Sequence, residues 1–369
     1  MQILRFLIVP RKLVSWFSLI LIGVYLLACA ILFFQWVNPS LDGRSDQHIA
    51  ADSSTYLYMA DVLREGRSDP FVLAALSSFP NTLWMPVFLA LVLKSTLLMA
   101  LVNLALFMVS IQLFRRSSYI SVGVFLSLIL LSPTTTISLL SVNKEIVDFF
   151  TMALFCYSRA TGRKWVLWFA LILSLFNRYE VCLAMFVFLL AQSRFNPWRS
   201  RRAITLLILI LSLNFSLPLL ASHSLANRFA EASDAGVIAF LDSLEMHYLF
   251  VLAVIPKIFQ NFLGEIPNVS NWAQYNPDDP ANSYILVLNN MASLVVVCIL
   301  AWKRFMRIRY DWVYFAMIGA VIMSVSLVVQ PRYFYFCFVL LCFQASHPRT
   351  ARRGRPVQLI PAGEGIGEV

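Results

Sequence analysis

Four groups of polar residues stand out in an otherwise apolar chain, because their types suit group transfer on a phosphorylated substrate. The first is Asp42, Asp46 and Asp52; the second is Asn143-Lys144-Glu145 with Asp148. The third is Arg178-Tyr179-Glu180 and the fourth Gln330-Pro331-Arg332-Tyr333. Arg offers phosphate oxygens a planar fork and Lys a point charge. A carboxylate in the same cavity could deprotonate an acceptor hydroxyl or hold a divalent metal. The cations would stabilise the phosphate as it departs. These parts suit transfer of a group from a lipid phosphate or diphosphate to a hydroxyl.

Each group also has a plainer reading. Asp52 precedes a helical pattern and suits an N-cap; Asp42 and Asp46 suit solvated loop positions. Lys144 with Glu145 suits an interfacial anchor beside its counter-charge, and Arg178 with Glu180 a buried structural pair. Arg332 suits a snorkelling cation, and Tyr179, Tyr333 and Tyr335 an aromatic belt. The four histidines lack metal-ligand spacing. The six cysteines all fall in apolar blocks and read as small buried hydrophobes. Leu26-Leu27-Ala28-Cys29 has the look of a lipoprotein cleavage box, but the apolar run continues through Val37, so an uncleaved first span is expected.

What must position these residues follows from composition. Of 369 residues, 60% are apolar and 13% charged, and the mean hydropathy is +0.75. A soluble domain carries about 45–50% apolar and about 25% charged residues. That excludes one water-soluble domain and a disordered chain. The apolar residues come in blocks, not in alternation, which argues against a membrane barrel. The net charge of +10 is spread over short basic clusters between apolar blocks: 5–12, 115–116, 159–164, 194–202, 303–309 and 349–355. Most of the acids lie in the alternate loops, and this is the positive-inside pattern. No segment joins a basic patch to a soluble fold, so no nucleic-acid partner is expected.

The expected fold is all-α: a polytopic transmembrane helical bundle of about ten spans. They are placed at about 13–37, 95–114, 118–140, 146–158, 165–177, 181–193, 203–221, 284–302, 312–329 and 333–346. Residues 1–347 would form the transmembrane domain, with outer loops 38–70 and 222–283 and both termini cytoplasmic. Residues 348–369 would be a basic, disordered cytoplasmic tail. Residues 71–93 would be a bent extension or an interfacial segment. An amphipathic helix is expected from Ser53 to about Glu65, with Tyr56, Met59, Ala60 and Leu63 on one face. Further amphipathic stretches are expected around 237–263, broken at Pro256. Residues 165–193 are too few for two full crossings, which need about 40. The turn Asn177–Glu180 would therefore lie below the outer surface, against a cavity.

At these residues the chain resembles the GT-C class of integral-membrane glycosyltransferases. Asp52-Ser53-Ser54-Thr55-Tyr56, running on to Ala60 and Gly66, is similar to the Asp–Tyr–Ala–Gly run of that class's first outer loop. The resemblance implies a GT-C-like fold with a juxtamembrane helix in that loop. It implies Asp52 as catalytic base, with Asp46 or Asp42 as a second carboxylate, and Tyr56 as a substrate-binding residue. Lys144, Glu145, Arg178, Glu180, Arg332 and Tyr333 would contact the donor's phosphate and sugar. The donor would be a polyprenyl-phosphate-linked sugar, the acceptor an envelope glycan or lipid, and the location a bacterial inner membrane among its lipids. The residues fix no cofactor, and a divalent metal is an open option. The first loop lacks a tight acidic pair. O-antigen-type polymerases are similar in size and basic character. A transporter or flippase of a lipid-linked or anionic solute would instead show repeats and midplane charges.

Overall fold

The computed structural model describes residues 16–37, 51–220 apart from 79 and 119, 241–263 apart from 242 and 246, 280–325 and 331–347. Asp42, Asp46 and the tail 348–369 lie outside the described residues. All regular structure among the described residues is helical. The chain forms two compact units, Met1–Tyr179 with Cys342–Val369, and Glu180–Leu341.

The first unit contains α1 (Trp16–Leu32), α2 (Ala51–Arg64), α3 (Pro70–Ser78), α4 (Pro80–Leu93) and α5 (Thr96–Ser117). It continues with α6 (Val122–Leu130), α7 (Pro133–Leu140), α8 (Lys144–Thr161) and α9 (Lys164–Asn177). The organising element is α8, which packs on α5 and α9 and is buried from Lys144 to Ser158 apart from Phe150. Its ends are well specified. The Asn143 side chain accepts from the Lys144 N–H, and Gly162 closes the helix at φ 69, a conformation that glycine adopts at no steric cost. Around it Phe107 and Phe149 stack at 5.2 Å, and Phe114 packs on Phe125 and Phe343 at 5.0 Å each.

The second unit holds α10 (Tyr179–Gln192, from Glu180 onward), α11 (Arg202–Leu220), α12 (Phe250–Leu263), α13 (Pro280–Trp302) and α14 (Asp311–Met323). A 3₁₀ turn, Pro331–Phe334, leads into α15 (Tyr335–Ala345), whose residues from Cys342 onward belong to the first unit. Helix α12 packs against α11 and α13. Phe250 and Val254 of α12 meet Leu217 and Val321 in an apolar cluster, and Phe188 stacks on Phe315 at 4.6 Å.

The ten-span bundle is not what forms. Among the described residues one helix, Thr96–Ser117, is long and apolar enough to cross a membrane. A second crossing arises only if Val122–Leu130 and Pro133–Leu140, bent by 84°, count as one span. The GT-C-like architecture falls with the ten spans. The physical reason is that apolar blocks are cut into short helices. At 1.5 Å per residue a 14-residue helix such as α9 or α10 reaches only about 21 Å, against a hydrocarbon core of about 30 Å. Residues 118–140 look continuous in hydropathy, yet Pro133 takes the first position of a new helix and the chain turns there. The opposite error occurs at Pro256, where a break was expected and α12 runs through. Proline removes one backbone hydrogen bond, and the flanking Phe250, Val254 and Lys257 are buried enough to hold the helix. Residues 71–93 form the two helices α3 and α4, ending at Lys94 with φ 54.

Candidate functional site

Three helices of the first unit hold the turn that opens α8. Asn103 of α5 donates from Nδ2 to the carbonyls of Ser138 (3.1 Å) and Ser141 (2.8 Å). Ser53 of α2 donates from Oγ to the carbonyl of Val142 at 2.7 Å. Asn177, the last residue of α9, donates to the carbonyl of Lys144 at 2.9 Å. Each carbonyl faces a buried side-chain donor, as buried backbone acceptors require. The turn is therefore fixed by side chains from distant parts of the sequence.

The charges sit on this frame. Glu145 and Asp148 lie three apart on α8 and so share a face. Arg178 caps α9 with an extended backbone, φ −159, and its N–H donates to the Ser174 carbonyl at 2.7 Å. That geometry sends its side chain back over the first turn of α8. Its Nη2 lies 3.2 Å from Glu145 Oε1 and its Nε 3.4 Å from Asp148 Oδ2. Asn177 Nδ2 donates to Asp148 Oδ1 at 2.7 Å. Glu145 and Asp148 are 0% exposed and Arg178 is 1% exposed. Lys144 is also buried, close enough for its charge to act on Asp148. Arg178 thus faces both carboxylates, and the positive end of the α8 dipole favours the acids further. Three acceptor oxygens remain without a hydrogen-bond partner among the described residues: Glu145 Oε2, Asp148 Oδ2 and Asn177 Oδ1.

The sequence-derived candidates fall as follows. Asp52 is the second residue of α2, directly before Ser53, so its backbone stands beside the Val142–Lys144 turn. Lys144, Glu145 and Arg178 form the buried ionic cluster. Tyr56 is buried in an apolar cluster with Met59, Ala60, Val72, Val87 and Val142. In the second unit Glu180 is half-buried near the start of α10. Arg332 and Tyr333 are half-buried in the 3₁₀ turn, the guanidinium 5.6 Å from the Tyr333 ring centroid. Among the described residues no three His, Cys, Asp or Glu side chains gather to hold a metal.

Sequence reasoning missed the partners that complete the network. Asp148 already stood in the second polar group, so the missed partners are the uncharged ones. Nothing local marks Ser53, Asn103 or Asn177 as clamps. In the second unit Lys257 is 0% exposed and pairs with Glu245 at 2.7 Å. A single lysine in the apolar helix α12 was a signal that an acid had to meet it.

Comparison of the chain with family models, with curated proteins and with solved structures finds no match.

Proposed function

We propose that the chain is a membrane-embedded glycosyltransferase of the bacterial cytoplasmic membrane. It moves a sugar from a polyprenyl-phosphate donor to an envelope glycan or lipid acceptor at the outer face. The observation that carries the reading is the Ser53–Val142 hydrogen bond, which sets the start of α2 against the turn that opens α8 across 89 residues of sequence. It joins the acidic motif around Asp52 to the Lys144–Glu145 turn. In this reading Asp52 takes the proton of the acceptor hydroxyl, whose oxygen bonds to the anomeric carbon as the bond to phosphate breaks. Polyprenyl phosphate leaves with its charge answered by Lys144 and the α8 N-terminus. Arg178, Glu145 and Asp148 act as positioning residues that lock the turn. No step is assigned to a metal.

Membrane placement is supported by an inverted distribution of side chains. On α9, Trp165 and Trp168 are 67% and 64% exposed, and Ile172 and Phe176 continue the same stripe. On α12, Leu252, Ile255 and Phe259 are exposed while Lys257 is buried. Water-soluble surfaces rarely carry apolar patches of this extent; acyl chains would cover them. Helix α5 agrees, since only 39% of its most apolar window is buried.

The test is release of polyprenyl phosphate from a radiolabelled polyprenyl-phosphate sugar in proteoliposomes. Wild type should release it and Asp52→Asn should not, with both proteins equally folded and inserted. Full activity of Asp52→Asn removes Asp52 from the mechanism.

A further inference from the structure

Two turns of the second unit are clamped together by one arginine. Residues 193–201 join α10 to α11, and residues 303–310 join α13 to α14. Arg202 donates from Nη1 to the carbonyls of Ile308 (3.1 Å) and Arg309 (2.8 Å). Its Nη2 pairs with Asp311, and its guanidinium lies 5.1 Å from the Tyr314 ring centroid. The planar fork serves two carbonyls and a carboxylate at once, which a lysine does not do.

The clamp assembles a surface that neither turn has alone. Arg194, Arg199, Arg201, Arg304, Arg307 and Arg309 are all exposed. Neither turn contains an acid, and Asp311, directly after the second turn, is engaged by Arg202. Large apolar side chains stand among the guanidiniums: Phe195 is 79% exposed and Trp302 70%, with Trp198 and Met306 also exposed. The adjoining helices continue the apolar surface away from the turns, with Leu183, Phe186 and Leu190 of α10 and Leu207 and Leu211 of α11 exposed.

We propose that these paired turns are a docking surface for the phosphate head groups of anionic phospholipids. Guanidiniums bind phosphate oxygens through paired N–H groups. Indole and phenyl rings settle at head-group depth, where one side is apolar and the other wet. Basic residues next to a bilayer gain from its anionic surface. The apolar flanks on α10 and α11 favour lipid over a nucleic acid or an acidic protein, which would leave them in water. The inference rests on the membrane placement proposed above and is independent of the transfer chemistry.

The test uses the full chain in nanodiscs of four parts phosphatidylcholine to one part phosphatidylglycerol, with brominated acyl chains on one lipid or the other. Quenching at Trp198 and Trp302 is isolated by comparison with W198F/W302F. Per mole of brominated lipid, phosphatidylglycerol should quench these two residues roughly fivefold more than phosphatidylcholine, the enrichment that one engaged guanidinium gives. The R199Q/R201Q/R307Q/R309Q variant keeps the Arg202 clamp and should lose the preference. R202K keeps the charge without the fork and should weaken it. Equal quenching by the two lipids overturns the proposal, as does a preference that survives in the quadruple variant. Quenching of Trp165 and Trp168 by brominated phosphatidylcholine reads membrane placement separately. If neither lipid quenches any of the four, membrane placement fails and the docking surface with it.

Discussion

Replacing Arg178 by methionine should be among the most damaging single substitutions in the first unit. The side chain lies within ion-pair distance of Glu145 and Asp148, and all three are almost fully buried. Removing one partner of a buried ion pair costs about 3–5 kcal/mol, because the charge left behind has no water to solvate it. Here two carboxylates rather than one lose their ion-pair partner, so about 4–5 kcal/mol is expected for Arg178→Met. For a unit of this size that lowers Tm by about 8–20 °C. Arg178→Lys keeps the charge but offers a single ammonium where a fork reached both acids, and should cost about 1–3 kcal/mol. The triple variant E145Q/D148N/R178M removes the ionic groups together and should recover to within about 2 kcal/mol of wild type. Thermal unfolding in detergent, followed by near-ultraviolet circular dichroism, reads all four proteins. An Arg178→Met protein within about 1 kcal/mol of wild type would refute the reasoning. So would a triple variant no more stable than the single one.

Three further outcomes follow from the packing and the turns. Asn103→Ala leaves the Ser138 and Ser141 carbonyls without their donor and should cost about 1–3 kcal/mol in the same assay; no loss would mean that these carbonyls find another partner. A methyl at Gly319 would overlap the Phe336 ring, so Gly319→Ala should destabilise by about 1–3 kcal/mol and Phe336→Leu should relieve it; an additive pair would contradict the contact. The Tyr58 hydroxyl donates to Asp69 at 2.6 Å and holds its carboxyl below the ordinary value of 3.8. The folded form then binds that proton less readily than the unfolded one. The contribution is complete above pH 3.8 and is lost as the pH falls through the lowered value. The stability gap between wild type and Tyr58→Phe should therefore close in acid, and a gap unchanged down to pH 2 would sink this assignment.

Some of the site was legible in the residues and some was not. The break at Arg178 was legible from the charged residues Arg178 and Glu180 between two apolar runs, and it falls between α9 and α10; the two membrane crossings expected on either side of it do not form, since each helix has 14 residues. The helix expected from Ser53 to about Glu65 is found at Ala51–Arg64, because its apolar residues recur at helical spacing. The span count failed because hydropathy registers apolar length and not interruptions. Pro133 restarts a helix inside an unbroken apolar run, whereas Pro256 interrupts nothing. The clamps at the α8 turn were out of reach for a different reason. Ser53, Asn103 and Asn177 are ordinary polar residues in their own helices, and their roles arise only when the chain brings Val142, Ser141 and Lys144 to them. Arg178 shows both sides. Its charge in an apolar context announced a partner, but a phosphate and a pair of carboxylates are equally good partners for a guanidinium. Only the fold places Glu145 and Asp148 around it.

The reading turns on whether a lipid-linked donor reaches the place where α2 begins and α8 opens. A polyprenyl-phosphate sugar carrying a diazirine next to the phosphate, photolysed with the protein in proteoliposomes, tests this by mass spectrometric mapping of the adducts. Adducts on peptides containing residues 51–64 and 141–148, competed away by unmodified donor, are the predicted result. Adducts confined to other segments, or labelling that excess donor does not reduce, would contradict it.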